Sequence, residues 1–118
     1  EILGSVWYTK YVINFSEVLI MVKHMIIWKM KGDLENKEES AKKIKTELES
    51  LYGKIDGLLK MEIIIEKLDS SSGDIMMDSE FTDNDALKAY QVHPLHQAVA
   101  NNIVRPCVDV RLAFDYEV

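Results

Sequence analysis

The chain has one cysteine, Cys107, and two prolines, Pro94 and Pro106. A lone thiol closes no intrachain disulfide and supplies none of the paired cysteine spacings that hold metals, which fits a reducing cytoplasm. Cys107 itself reads as a packing residue in a strand. An excess of positive charge is also missing: 14 Lys and Arg face 20 Asp and Glu, a formal net charge of −6. Such a field disfavours polyanions, so no nucleic-acid partner is expected. No apolar run approaches the roughly 20 residues of a membrane-spanning helix, and the N-terminus lacks a basic region followed by an uninterrupted apolar core. No membrane association or export is expected. Glycine-rich phosphate loops and nucleophile elbows are absent, which disfavours nucleotide hydrolysis and serine-hydrolase chemistry. No internal repeat or low-complexity tract occurs.

What is present is enough for one domain with a core: 118 residues, 47% hydrophobic and 29% charged. Residues 1–20 differ in character, holding Trp7, Tyr11, Ile13 and Phe15 in alternation with Thr9 and Asn14, as in an extra strand. Met21 is a natural start, however, and Glu17-Val18 just before it is what a purine-rich ribosome-binding element of GAGGT type spells when translated. The expectation is that residues 1–20 are an N-terminal extension of translated upstream sequence and that the domain occupies residues 21–118.

From Met21 to about Lys31 the chain reads as a strand, with Val22, His24, Ile26, Trp28 and Met30 on one face. Asn36 with Glu39 predicts a capped helix start, and Ala41, Ile44, Leu48, Leu51 and Ile55 recur at helical spacing until Gly53 and Gly57. Lys60–Leu68 and Asp74–Phe81 read as a hairpin across Asp69-Ser70-Ser71-Ser72-Gly73. Thr82 with Asp85 predicts a second capping box, opening a helix that ends at Pro94. A further helix begins at Pro94, with Leu95, Val99 and Ile103 facing the core. Pro106 stops it before a strand of alternating Val108, Val110, Leu112, Phe114 and Tyr116.

Chemistry concentrates at Tyr90-Gln91-Val92-His93-Pro94-Leu95-His96. His96 falls in a helix's first turn, where the positive end of the dipole disfavours imidazolium and leaves a neutral base. Three uses remain open. In catalysis, His96 is the general base, Tyr90 the donor to a developing oxyanion and His24 the polarising group. In passive binding, Ile26, Trp28 and His93 join them around a small apolar carbonyl or aromatic ligand. In a purely structural role, Tyr90 and His96 satisfy buried groups and His93 caps the next helix. His93 and His96, three apart, have a spacing that suits a metal, but no nearby acid completes a ligand set, so no metal is expected.

The order strand, helix, strand, strand, helix, strand is the split βαβ plan, an α+β fold with one antiparallel sheet covered by helices on one face. The other face needs a cover, and its candidates are apolar: Val22, Ile26, Trp28 and Met30 on the first strand, Ile63, Ile64 and Ile65 on the second. A second copy of the sheet is the simplest cover. Residues 21–118 resemble the stress-responsive A/B barrel (Dabb) domain family. The resemblance rests on Val22 to Lys29, Ser79-Glu80-Phe81, Ala89 to His96, and Phe114-Asp115-Tyr116-Glu117-Val118. It implies a ferredoxin-like βαββαβ chain closing into an α+β barrel as a homodimer. It implies little about activity, since most bacterial members have none established. A cofactor-independent polyketide cyclase of the family has a tyrosine and a histidine matched by Tyr90 and His96, and a second histidine matched by His24, so no cofactor is expected. Its other cavity tyrosine has no counterpart between Asn36 and Leu51, and the His-Pro-x-His stretch marks the family more than the reaction.

Overall fold

The computed structural model describes residues 21–118, so the reading of residues 1–20 as an extra strand or as upstream sequence lies outside the described residues. Strand β1 (Val22–Met30) pairs antiparallel with β3 (Ile75–Phe81) on one side and β4 (Val108–Glu117) on the other. Strand β2 (Leu58–Ile64) pairs with the outer side of β3, giving the order β2-β3-β1-β4. This is the expected ferredoxin-like sheet, with the helices packed on one face.

Alternation assigns the faces. The inward positions of β1, namely Val22, His24, Ile26, Trp28 and Met30, are buried beneath the helices, as are Ile75, Met77, Ser79 and Phe81 of β3. This corrects the sequence reading, which offered Val22, Ile26, Trp28 and Met30 to the uncovered face. A period of two shows that a strand has two faces but not which lies under a helix, and the bulkier set took the core. The open face instead carries Lys23, Met25 and Ile27 of β1, with Leu112, Phe114 and Tyr116 opposite them on β4. On the β3 side of that face, Lys23 donates to Asp78 at 2.7 Å and Glu80 at 2.9 Å, and Lys60 reaches Asp78 at 2.9 Å.

Helix α1 (Lys37–Glu49) starts as predicted, the Asn36 side chain accepting from the Glu39 N–H, and buries Ala41, Ile44 and Leu48. It ends earlier than expected, yet Leu51 and Ile55 remain in the core through the turns that follow. Gly57 closes this segment at φ +83°, and a Cβ there would lie 2.6 Å from the Cβ of Ala86. Its carbonyl accepts from the Thr82 N–H, which ties the turn to the start of the next helix.

That helix, α2 (Asn84–Val92), is capped by Asp83 rather than Thr82, the Asp83 carboxylate accepting from the Ala86 N–H at 2.8 Å. Thr82 is held at the end of β3 by its bond to Gly57, so the cap moves one residue on. His93 then adopts φ −66°, ψ 135°, as a residue before proline should, and α3 (Pro94–Val99) begins. A wide π-helical turn, Ala100–Val104, follows, and then a tight turn, Arg105–Cys107, that places Cys107 before β4 rather than in it. Of the expected core set Leu95, Val99 and Ile103, Leu95 is corrected because it is exposed; Val99 is buried, and Ile103 is half-buried against the core beside the fully buried Val104. The i→i+5 bonding of the wide turn carries Val104 beneath Val99.

Candidate functional site

A cavity of about 180 Å³ lies between the inner sheet face and the helices. Ile26, Trp28, Leu48, Met77 and Val104 form its apolar wall, and His24, Tyr90, His96, Arg105 and Arg111 supply its polar groups. Strand β1 presents His24 because Val22, Ile26 and Trp28 on either side fix that face inward. Helix α2 presents Tyr90 in its last turn, and the break at Pro94 turns the chain so that His96 on α3 faces back over it. The Tyr90 and His96 rings lie 4.2 Å apart by centroid, and Phe81 supports Tyr90 from the sheet at 4.9 Å. The His24 and Tyr90 rings lie 6.5 Å apart.

Each polar group has a distinct state. Tyr90 is 1% exposed, and its hydroxyl has no hydrogen-bond partner among the described residues. Burial pushes its phenol well above the usual range, with the nearby Arg111 guanidinium opposing, so Tyr90 stays a neutral donor. His96 is held below its ordinary pKa mainly by burial. The helix dipole invoked from sequence predicted the same direction, but desolvation is the larger cause. The His96 Nδ1–H donates to the Gln91 carbonyl at 3.3 Å, which leaves Nε2 with its lone pair. His24 is backed through Nδ1 by the Asp115 carboxylate, and its own carbonyl accepts from the buried Ser79 hydroxyl at 2.6 Å. The carboxylate accepts from the Nδ1–H and fixes the orientation of the ring, with Nε2 on its far side.

Of the residues singled out from sequence, the fold thus gathers His24, Tyr90, His96, Ile26 and Trp28 around one cavity. His93 is not brought there. Its Nδ1 accepts from the Leu95 N–H at 3.1 Å, capping α3, and it does not line the cavity. Among the described residues no group of three His, Cys, Asp or Glu is placed to hold a metal ion. Asp115, Arg105 and Arg111 were missed. Asp115 had a weak signal, being the acid between Phe114 and Tyr116 on an alternating strand, but its partner follows only from the β1–β4 register, which sets His24 opposite Asp115.

A split βαβ sheet with one helix-covered face and a cavity beneath the helices defines a ferredoxin-like α+β protein. The family model of the stress responsive A/B barrel domain (Dabb) matches residues 22–118, and the chain belongs to that family. It is similar to a dimeric protein of unknown function and ferredoxin-like fold from Bacteroides fragilis, with 31% identity over 83% of this chain and 96% of that one, at a TM-score of 0.77. At the level of fold alone it is similar to the hydroxynitrile lyase of Passiflora edulis, with 11% identity over 85% and 94% of the chains and a TM-score of 0.72. The same holds for SnoaB, a cofactor-independent oxygenase from Streptomyces nogalater, with 9% identity over 82% and 91% and a TM-score of 0.66. No curated protein matches the chain. No helix among the described residues is long and apolar enough to cross a membrane.

Proposed function

We propose that the chain, as a homodimer, binds a small, largely apolar carbonyl or aromatic compound in this cavity. The observation that carries the reading is the Tyr90 hydroxyl, a buried donor with no partner among the described residues, beside two imidazoles in a chamber whose remaining lining is apolar apart from Arg105 and Arg111. A ligand oxygen accepting from Tyr90 supplies the missing partner. The volume limits the ligand: a cavity of roughly 150 Å³ holds benzene, so about 180 Å³ suits one ring with a few substituent atoms. The dimeric Bacteroides fragilis relative supports the assembly.

Cofactor-independent proton transfer is the second reading, favoured by the half-buried His96 imidazole stacked against the Tyr90 ring. His96, kept neutral by burial, is suited to take a proton beside a carbonyl while Tyr90 donates to the oxygen that gains charge. His24, oriented by Asp115, holds the ligand from the sheet side.

Calorimetric titration of the full chain with benzamide, and of a His96→Ala variant, tests the first reading. Binding that weakens in the variant while thermal unfolding is unchanged supports a ligand site; a variant that binds equally but unfolds early assigns His96 to structure. Deuterium exchange at the methyl carbon of acetophenone tests the second. His96 sits below its ordinary value of about 6.5, so catalysed exchange should persist as pH falls through that value and fade only where the buried imidazole gains its proton. Exchange no faster than in buffer would leave binding without chemistry.

A further inference from the structure

The chain has only two arginines, Arg105 and Arg111; every other cation among its 14 Lys and Arg is lysine. Both arginines line the cavity, and among the described residues no Asp or Glu lines it. Arg111 projects from the inner face of β4, opposite Trp28 of β1 and four residues before Asp115. Arg105 opens the tight turn that follows the π-helical segment, so the irregular backbone between α3 and β4 is what brings it to the rim. Among the described residues neither arginine forms an ion pair. Arg105 donates only to the neutral side-chain oxygen of Asn101, and Arg111 has no side-chain hydrogen bond among the described residues.

This placement runs against the chain's average. A protein of net charge −6 has carboxylates to spare for its arginines, yet Asp115, four residues along β4 from Arg111, is taken by His24. Lysine serves on the rest of the surface, where a hydrated point charge suffices. Guanidinium differs in being planar, weakly hydrated and forked, and that fork matches a carboxylate. The site would otherwise hold two positive charges against an apolar wall, where they repel each other and help to depress His96 alongside its burial.

We propose that the compound bound in the cavity is a carboxylic acid, carried on one ring or a short chain, whose carboxylate is held by Arg105 and Arg111 while its other oxygen reaches Tyr90. This rests on the cavity being the ligand site. A single charge fits better than a phosphate dianion, which the net field of the chain opposes and which is more costly to strip of water beside an apolar wall.

Benzoate and benzamide have the same ring and nearly the same shape but differ in charge, so calorimetric titration with each separates the carboxylate from the cavity. Benzoate should bind the full chain about tenfold or more tighter, a difference of roughly 1.4 kcal/mol. Its affinity, and not that of benzamide, should fall with added salt. In an Arg105→Gln/Arg111→Gln double variant, checked for intact folding by circular dichroism, the preference for benzoate over benzamide should vanish. Benzamide matching benzoate, or a preference that survives the double substitution, overturns the inference and leaves the cavity reading standing. If neither compound binds, both fall together.

Discussion

The Tyr90 hydroxyl sets stability against function at a single atom. Leaving a buried hydroxyl without a partner costs about 1–3 kcal/mol, a sizeable part of the roughly 5–15 kcal/mol by which a domain is stable. Tyr90→Phe deletes that oxygen and keeps the ring between Phe81 and His96. Unfolding free energy by urea titration should therefore rise by about 1 kcal/mol, while benzamide binding weakens by about tenfold for the lost hydrogen bond. A variant that binds as before would show the hydroxyl to be idle. At this scale the candidate site was partly legible. Tyr90 and His96 stand out because proline punctuates their neighbourhood, and His24 because it interrupts an apolar strand face. Asp115 was hidden since it meets His24 across 91 residues of sequence. Arg105 was hidden because its position depends on a π-helical turn that no short-range pattern announces, and Arg111 because which face of β4 lies under the helices follows only from its register with β1.

Elements were easier to read than their ends. Helix α1 followed its capping residue and its three- and four-residue apolar spacing, and the pre-proline break fell where the stiffness of Pro94 requires. The start of α2 was misplaced by one residue because Thr82 and Asp83 are both good caps, and only the bond from the Thr82 N–H to Gly57 decides between them. Asp83→Ala should lose about 1 kcal/mol, the usual worth of an N-cap, whereas Thr82→Ala should lose clearly less. Chemical denaturation of the two variants makes the comparison; the reverse order would mean that the helix begins at Thr82 in solution. Leu95 shows the other limit. Helical spacing counts 3.6 residues to a turn, and after one wider turn Val104 lies deeper in the core than Ile103, which packs against it half-buried.

At the scale of the whole molecule, one sheet has a helix-covered face holding the cavity and an open face holding exposed apolar groups. Leu112 and Phe114 are 64% and 70% exposed on the open side of β4, beside Met25 and Ile27. A patch of this kind is expected to be covered, and a twofold axis would cover it with itself. That a cover was needed could be argued from the order of elements, but which residues need it could not, because both faces of β1 contain large apolar side chains. Phe114→Glu tests the assignment. In a self-complementary interface each copy contributes its own carboxylate, so one substitution buries two like charges and its effect is doubled. Sedimentation at micromolar concentration should find the parent chain dimeric and the variant monomeric, with the helical signal nearly unchanged because Phe114 lies outside the core. The lining residues of the cavity stand on the helix-covered face of the sheet and on the segments packed over it, away from the open face. The monomeric variant should therefore still bind benzamide with an affinity within about twofold, the interface and the cavity being separate parts. A dimer that persists would place the contact elsewhere, and a monomer that no longer binds would make the second copy a support for the cavity walls.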